Sequence, residues 1–308
     1  MATQTEALYT LPAQIDGLIA RADGMIVAAT SRVFGNDWDG GVTAYMPDKQ
    51  QKSCHLPSGV TGAAFVGATS EAVALSCDDG NVVVLSLSSM GEEGWRPLQM
   101  FADHENIVSS VSCSALDKDV IASCSVDQTV KVWSMKGDDG ACLTTLRGHC
   151  APVWDVAYSP VERNMVASVG QDGRLLIWDD RTTTPAASLD QGAPLFSLCW
   201  NEEKVMVGSE NGEIFIFDPR ALTAPLETLT GHTDAVRSMA VARSADDKAM
   251  LVSGGDDCAV MVRAMADLAA APTVVERHSD YVRALCAVPG GGAVYSGSWD
   301  KTIAKVQI

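Results

Sequence analysis

Histidine, serine and aspartate recur in this sequence in an order that suggests catalysis. In a hydrolase triad, histidine takes the proton of an attacking serine hydroxyl and an acidic side chain orients the histidine. Here two sets share the same intervals: 19 residues from His to Ser, 4 from Ser to Asp, and 6 from Asp to a tryptophan. The first set is His104, Ser123, Asp127 and Trp133, and the second is His149, Ser168, Asp172 and Trp178.

Two weaker copies of the set follow later in the chain. An enzyme domain has no need of four active sites, so the repetition favours a structural role. We expect each set to form a hydrogen-bond chain between a loop and adjacent strands, which satisfies polar groups that would otherwise be buried unpaired. The weaker copies are His232, Ser253 and Asp257, and His278, Ser296 and Asp300.

The sets belong to a longer repeat with a period near 44 residues, and partial copies raise the number of repeats to seven. This period, together with Gly148-His149 and Trp178-Asp179, resembles the WD40 repeat, which forms one four-stranded blade of a propeller. We predict an all-β fold, a single seven-bladed WD40 β-propeller over residues 1–308. The last copy ends after its third strand, so residues at about 5–12 are expected to supply the missing strand and close the ring.

The chain is acidic, with 22 Lys and Arg against 39 Asp and Glu and a net charge of −17. That balance argues against nucleic acid and anionic membranes as partners and favours a basic protein or peptide. The nine cysteines show no metal-binding spacing, and the N-terminus has no secretory pattern. We therefore expect a reducing compartment, the cytoplasm or the nucleus.

Little of the sequence is left over for chemistry of another kind. Four of the five histidines belong to the repeated sets, which leaves His55 alone. Gly290–Gly292 is read as a hairpin turn, because no Lys-Ser or Lys-Thr pair follows it as in a phosphate loop. We expect no catalytic residue, no cofactor and no metal.

The remaining candidate binding sites lie on the surface, and the first is a group of acidic residues. In a propeller, the loops joining the second strand to the third and those leading into each first strand lie on one face, here called the upper face. An acidic rim there would attract Arg- and Lys-rich segments, or it would only maintain solubility. Its members are Asp78, Glu105, Asp190, Glu210, Asp234, Asp256 and Asp280.

The first repeat carries an insertion of about six residues between the position of Ala29 and Asp39. The segment that contains the insertion, residues 30–38, includes Phe34 and Trp38 and is expected to form an exposed hairpin tip. Aromatic side chains in such loops anchor protein interfaces, although Trp38 folding back over its own blade is the alternative. Tyr281, on the same face, is a second candidate anchor, with packing inside its blade as the alternative.

Several idiosyncratic stretches resemble one family, the WD-repeat cofactors of type II protein arginine methyltransferases known as methylosome protein 50. They include Gly35-Asn-Asp-Trp38-Asp-Gly-Gly, Gly59-Val-Thr-Gly-Ala-Ala-Phe-Val-Gly67 and His278-Ser-Asp-Tyr-Val-Arg283. The fifth repeat, which lacks its histidine and reads Ser197-Leu-Cys-Trp200, is also similar to that family. The chain departs from it in being short at both ends and in having Asn36-Asp37 where a basic residue is usual.

The resemblance implies a non-catalytic cofactor that binds the methyltransferase in a hetero-octamer with four copies of each chain. Trp38 would insert into the enzyme, and Tyr281, where the family has Phe, would add contacts. S-adenosylmethionine would belong to the partner, and the substrates would be histone tails and Arg/Gly-rich splicing proteins. The partner-binding residues expected on this basis are Phe34, Asn36, Trp38 and Tyr281.

Two other hypotheses remain open. Gly231-His232 and Ser298-Trp299-Asp300 are also similar to the last two blades of the peroxisomal targeting-signal receptor, an adaptor that binds a helical import signal. An enzyme is the second, since some propellers carry an active site in the central channel.

Overall fold

The computed structural model describes residues 6–34, 37–67, 70–90, 96–137 and 141–308, without the side chains of residues 6, 7, 34, 37 and 38. The described residues form 28 strands and contain no helix. Seven four-stranded antiparallel sheets account for all of these strands. The described residues thus include no helix that could span a membrane.

The first four blades follow one another along the chain, each from four consecutive strands. Blade 1 contains β2 (Gln14–Ala20), β3 (Ile26–Phe34), β4 (Asp37–Tyr45) and β5 (Gln51–Leu56). Blade 2 contains β6 (Val60–Val66), β7 (Ala72–Cys77), β8 (Asn81–Ser86) and β9 (Gln99–Ala102). Blade 3 contains β10 (Val108–Cys113), β11 (Val120–Ser125), β12 (Thr129–Ser134) and β13 (Ala141–Arg147), and blade 4 contains β14 (Val153–Tyr158), β15 (Met165–Gly170), β16 (Arg174–Asp179) and β17 (Pro185–Asp190).

The last three blades complete the ring, and the final blade takes its outer strand from the N-terminus. Blade 5 contains β18 (Leu195–Trp200), β19 (Val205–Ser209), β20 (Ile214–Phe217) and β21 (Glu227–Leu229), and blade 6 contains β22 (Val236–Arg243), β23 (Ala249–Gly255), β24 (Ala259–Ala264) and β25 (Thr273–Arg277). Blade 7 contains β26 (Val282–Ala287), β27 (Ala293–Ser298), β28 (Thr302–Gln307) and β1 (Glu6–Thr10).

The ring closes where β1 pairs antiparallel with β28, from Glu6 opposite Lys305 to Thr10 opposite Thr302. Tyr9 of β1 stacks on Tyr45 of blade 1 with ring centroids 3.9 Å apart. The prediction of a seven-bladed β-propeller closed by an N-terminal strand is confirmed.

The inner strands are apolar on both faces because each blade packs between two others. In β8, the side chains of Val82, Val83, Val84 and Leu85 are all buried. Val82 and Val84 pack towards blade 3, against Trp133 among others, whereas Leu85 packs towards blade 1. A strand with two buried faces needs a continuous apolar run instead of an alternating one, which is what these segments contain.

Blade 1 departs from the other blades in the length of its central hairpin. Strands β3 and β4 have nine residues each, whereas the second strands of the other blades have five to seven. The pairing runs without a break from Ile26 opposite Tyr45 to Phe34 opposite Asp37. The hairpin therefore extends beyond its blade on the upper face.

The first strand of every blade contains a β-bulge. The bulged residue follows directly after the first or the second residue that pairs with the second strand. A bulge bends the strand and changes the direction of the extra residue's side chain. All seven bulged residues line one cavity of about 250 Å³, which places it at the upper mouth of the central channel. They are Asp16, Thr61, Ser109, Trp154, Phe196, Arg237 and Arg283.

Candidate functional site

The repeated His, Ser, Asp and Trp residues form a closed hydrogen-bond chain inside their blade. In blade 4, the Trp178 Nε1 lies 2.8 Å from Ser168 Oγ, which lies 2.8 Å from His149 Nε2. His149 Nδ1 is 3.0 Å from both oxygens of Asp172. Trp178 can only donate, so with a neutral imidazole Ser168 donates to Nε2 and Nδ1–H donates to the carboxylate.

The other three sets repeat this geometry. His104 Nε2 lies 2.8 Å from Ser123 Oγ, to which Trp133 Nε1 also donates at 2.8 Å, and His104 Nδ1 lies 2.8 Å from Asp127. The sets in blades 6 and 7 lack the tryptophan but keep His–Ser distances of 2.8 and 2.9 Å. The predicted tetrads are therefore assembled in space as the spacing indicated.

These contacts have the geometry of a hydrolase triad but not its accessibility. Ser168 has no exposed surface, and its oxygen is already an acceptor for the Trp178 indole. A substrate carbonyl cannot reach a nucleophile that is covered in this way. The sets hold the loop before each first strand against the second and third strands.

The tetrad aspartates act as charged acceptors. Burial alone would raise the pKa of Asp127, but hydrogen bonds from His104 and Thr129 outweigh burial and hold its pKa well below 3.8. For Asp172, burial likewise opposes the hydrogen bond from His149, and the net shift of the pKa is downward. Each carboxylate also accepts the backbone N–H of the residue after the histidine, Glu105 and Cys150 respectively.

The predicted acidic rim lies in or beside the upper-face loops, but its members differ in exposure. Four of the side chains are exposed, and two are half-buried. Burial raises the pKa of one of these two, Asp78, above 3.8. The exposed residues are Glu105, Asp190, Glu210 and Asp234, and the half-buried ones are Asp78 and Asp280.

Asp256 does not contribute a free negative charge to this rim, and that expectation is corrected. Its Oδ2 accepts hydrogen bonds from Arg237 Nε at 2.8 Å and Nη2 at 2.6 Å, and its side chain is only 10 % exposed. The arginine comes from the bulge of β22, whereas Asp256 follows β23. Because the pair is cationic on one side and anionic on the other, it is close to neutral as a unit.

The hairpin of blade 1 is fixed at its base by an ionic network. Arg32 on β3 donates to both oxygens of Asp39 on β4, at 2.6 and 2.8 Å, and His55 lies 3.1 Å from Asp39 Oδ2. The hydrogen bond from Arg32, followed by that from His55, holds the pKa of Asp39 well below 3.8. Asn36 and the side chains of Phe34 and Trp38, which we predict to bind a partner, lie outside the described residues.

Tyr281 is on the upper face with 40 % of its surface exposed. Its ring contacts that of Trp299 at a centroid distance of 5.6 Å, and Trp299 Nε1 donates to Asp16 Oδ1 at 2.8 Å. Asp16 Oδ2 in turn accepts the hydroxyl of Ser31 on β3. The predicted anchor in blade 7 is thus connected to the base of the blade 1 hairpin through the half-buried carboxylate of Asp16.

Asp16 and Trp299 were not among the residues singled out from the sequence. Asp16 is the one acidic residue at the bulge position, since the other bulged residues are Thr, Ser, Trp, Phe and Arg. The sequence does carry a signal for the bulge, since Ser109, Trp154, Arg237 and Arg283 each follow a repeat histidine by five residues.

A second half-buried carboxylate, Asp155, joins three blades at the channel wall. It accepts the Ser110 hydroxyl of blade 3 and the Leu198 N–H of blade 5, both at 2.8 Å. Burial is the largest influence and raises its pKa from 3.8 to about 6, against the opposing effect of these hydrogen bonds.

This raised pKa predicts a pH-dependent contribution to stability. The folded state binds the Asp155 proton more tightly than the unfolded state, so the contribution is complete below about pH 4 and is lost as the pH rises through about 6. We expect the free energy of unfolding of the wild type, minus that of Asp155→Asn, to fall by about 1–3 kcal/mol between about pH 4 and about pH 7. Urea unfolding of both proteins across this range measures the difference, and parallel profiles would contradict the assignment.

Among the described residues, no group of three or more His, Cys, Asp and Glu side chains is placed to hold a metal ion. What the upper face offers instead is surface for recognition: a long hairpin, an exposed tyrosine, exposed carboxylates and a lined cavity at the channel mouth.

Comparison with known proteins matches four segments of the chain to the WD domain, G-beta repeat. The matched segments are residues 95–134, 140–179, 223–262 and 272–304. Each begins with the outer strand of one blade and runs into the third strand of the next, which is blade 3, 4, 6 and 7 in turn. They are the four blades with a complete His–Ser–Asp set.

Whole proteins of this kind are similar over most of the chain. Methylosome protein WDR77 from Xenopus laevis is 26 % identical over 264 residues, which cover 81 % of this chain and 76 % of that protein. The peroxisomal targeting signal 2 receptor from Schizosaccharomyces pombe is 23 % identical, covering 74 % of this chain and 73 % of the receptor. Protein transport protein sec13 from Emericella nidulans is 25 % identical over 59 % of this chain and 71 % of its own length.

Proposed function

We propose that this β-propeller, four segments of which match the WD domain, G-beta repeat, is the non-catalytic adaptor of a type II protein arginine methyltransferase. In this proposal it binds and activates the enzyme, in a hetero-octamer with four copies of each chain. It helps to present basic substrates such as histone tails and Arg/Gly-rich splicing proteins. Its place of action is the cytoplasm and the nucleus.

The observation that carries this proposal is the extended hairpin of blade 1. It is longer than its counterparts in the other blades, it bears Trp38, and it projects from the face on which Tyr281 is exposed. The Ser31–Asp16–Trp299 chain connects the two elements, so they can act as one preorganised surface. Similarity to methylosome protein WDR77 supports the same partner.

The exposed carboxylates on this face support the choice of substrate. Glu105, Glu210 and Asp234 are exposed in upper-face loops of different blades. In a chain with a net charge of −17, they favour the approach of Arg-rich segments, most of all at low salt.

The experiment is affinity purification of the tagged chain from its source, followed by identification of the partners and an assay of the eluate. We expect an arginine methyltransferase in equal amount with the chain. The eluate should symmetrically dimethylate a histone tail peptide when S-adenosylmethionine is added. An eluate without methyltransferase would contradict the proposal.

A peroxisomal targeting-signal receptor is the second candidate, favoured by the similarity to the Schizosaccharomyces pombe receptor. It predicts import cargo in place of the methyltransferase in the same eluate, and it predicts that the tagged chain reaches peroxisomes. Recovery of such cargo, without methylating activity, would establish this candidate against the first.

A further inference from the structure

Two arginines converge on the channel mouth of this otherwise acidic protein. Arg237 and Arg283 are the bulged residues of β22 and β26, in neighbouring blades, and both line the cavity of about 250 Å³. Their surroundings differ in one respect that decides what the cavity can bind: one guanidinium has its acceptor and the other does not.

Arg237 is paired with a carboxylate within the propeller. Its Nε and Nη2 donate to Asp256 Oδ2, and its guanidinium carbon lies 3.9 Å from the centre of the Phe196 ring. An arginine held between a carboxylate and an aromatic face is fixed in position and has little left to offer a ligand.

Arg283 lacks such an acceptor. The nearest carboxylate oxygen is Asp256 Oδ1, at 3.9 Å from Nη1, which is beyond hydrogen-bond distance. Within the described part of the chain, no other acceptor makes a hydrogen bond with its guanidinium, and nearby Asp16 accepts hydrogen bonds from Ser31 and Trp299 instead.

The environment of Arg283 also strengthens any ion pair that it forms. The guanidinium lies over Trp299, 5.0 Å from the ring centre, and its side chain is 28 % exposed, so the site is open at one side only. Burial lowers the pKa of Arg283 without removing its charge, because the ordinary value is far above neutral pH. A partly desolvated cation gains more from an anion than one in bulk water does.

We propose that the channel mouth is a binding site for an acidic side chain of a protein partner, with Arg283 as its anchor. The planar fork of the guanidinium matches the two oxygens of a glutamate or aspartate carboxylate. Trp154 and Phe196, whose rings lie 5.8 Å apart, flank the cavity and can cover the apolar part of the bound segment.

This site goes beyond the proposed function and does not depend on it. The hairpin of blade 1 and the exposed carboxylates would serve a methyltransferase and its basic substrates, whereas the channel mouth selects the opposite charge. The site can therefore be tested with a peptide and the isolated full chain, with no methyltransferase present.

The probe is the pentapeptide acetyl-Gly-Gly-Glu-Gly-Gly-amide, and its glutamine counterpart is the control ligand. Binding is followed by NMR at the indole N–H of Trp299, the ring on which Arg283 lies. We expect a saturable shift with the glutamate peptide and none with the glutamine peptide. Arg283→Gln should weaken glutamate binding by at least about tenfold.

A matched control is available on the opposite face. Arg243 is the last residue of the strand in which Arg237 is the second, and its side chain is 62 % exposed. Arg243→Gln removes the same charge far from the cavity. This variant should bind the glutamate peptide as the wild type does. If Arg283→Gln proves unfolded by its melting curve, Arg283→Lys keeps the charge but loses the fork, and it should bind more weakly than the wild type.

Three results would overturn the proposal: no shift with the glutamate peptide, equal binding of the glutamine peptide, or unchanged binding when Arg283 is replaced in a folded variant. A phosphoserine peptide that binds more tightly than the glutamate peptide would overturn the assignment to a carboxylate.

Discussion

Replacing Trp38 with alanine is expected to weaken binding of the methyltransferase by at least about 2 kcal/mol, a loss of roughly 30-fold in affinity. Large aromatic side chains in exposed loops provide much of the energy of an interface when a partner pocket encloses them. The paired strands below Trp38 form without its side chain, so the melting temperature should remain that of the wild type. Calorimetric titration of both chains with the purified enzyme, beside a thermal melt, measures the two quantities.

The control is another exposed apolar side chain. Leu226 is 56 % exposed and precedes β21, in a loop between a third and a fourth strand, which places it on the face opposite to the hairpin. Leu226→Ala should leave the affinity unchanged. Equal affinities for Trp38→Ala and the wild type would remove the hairpin from the interface, even if the methyltransferase copurifies with the chain.

The architecture was predictable because each repeated polar set makes its contacts within a single blade. His149, Ser168, Asp172 and Trp178 fix a loop and two strands of one blade, so their intervals locate that blade without knowledge of its neighbours. Blades that lack the set could be located only from the period of the repeat. Blade 1 illustrates this: Asp39, aligned with the blade aspartates, is paired with Arg32 across its hairpin instead.

The channel mouth was not predictable in the same way, because its contacts join residues from different strands and blades. Asp256 occupies an upper-face loop like the exposed acids, and nothing adjacent to it indicates that Arg237, 19 residues earlier, neutralises it. Trp299 and Asp16 are 283 residues apart and meet only when the ring has closed. The repeat predicts which residues lie on the upper face, but only the structure shows which charged side chains on that face form ion pairs.

Stability and partner recognition therefore depend on different residues. The polar sets and the inner strands lie within or between blades and are buried, so their replacement affects folding. The bulged residues differ in type from one blade to the next, and the hairpin of blade 1 is longer than its counterparts. Both lie on the upper face, so their replacement affects binding. The tetrad in blade 4 provides the stronger test of this division, since its members are the residue types of a catalytic triad.

Asp172→Ala is expected to lower the free energy of unfolding by about 1–3 kcal/mol, because the change leaves the buried imidazole N–H of His149 without an acceptor. Asp172 accepts hydrogen bonds from His149 Nδ1 and from the backbone N–H groups of Cys150 and Arg174. Alanine can replace none of these contacts. Chemical denaturation followed by tryptophan fluorescence measures the loss, since Trp178 is buried at the other end of the chain of hydrogen bonds.

Two further variants distinguish this role from a general effect of charge. Asp246→Ala removes the same charge from a side chain that is 81 % exposed, and it should unfold as the wild type does. Asp172→Asn keeps one oxygen as an acceptor for His149 and should recover part of the lost stability. A denaturation curve of Asp172→Ala that coincides with that of the wild type would mean that the tetrad does not hold blade 4 together, and the reading of the repeated sets as structural would then fail where its geometry is most complete.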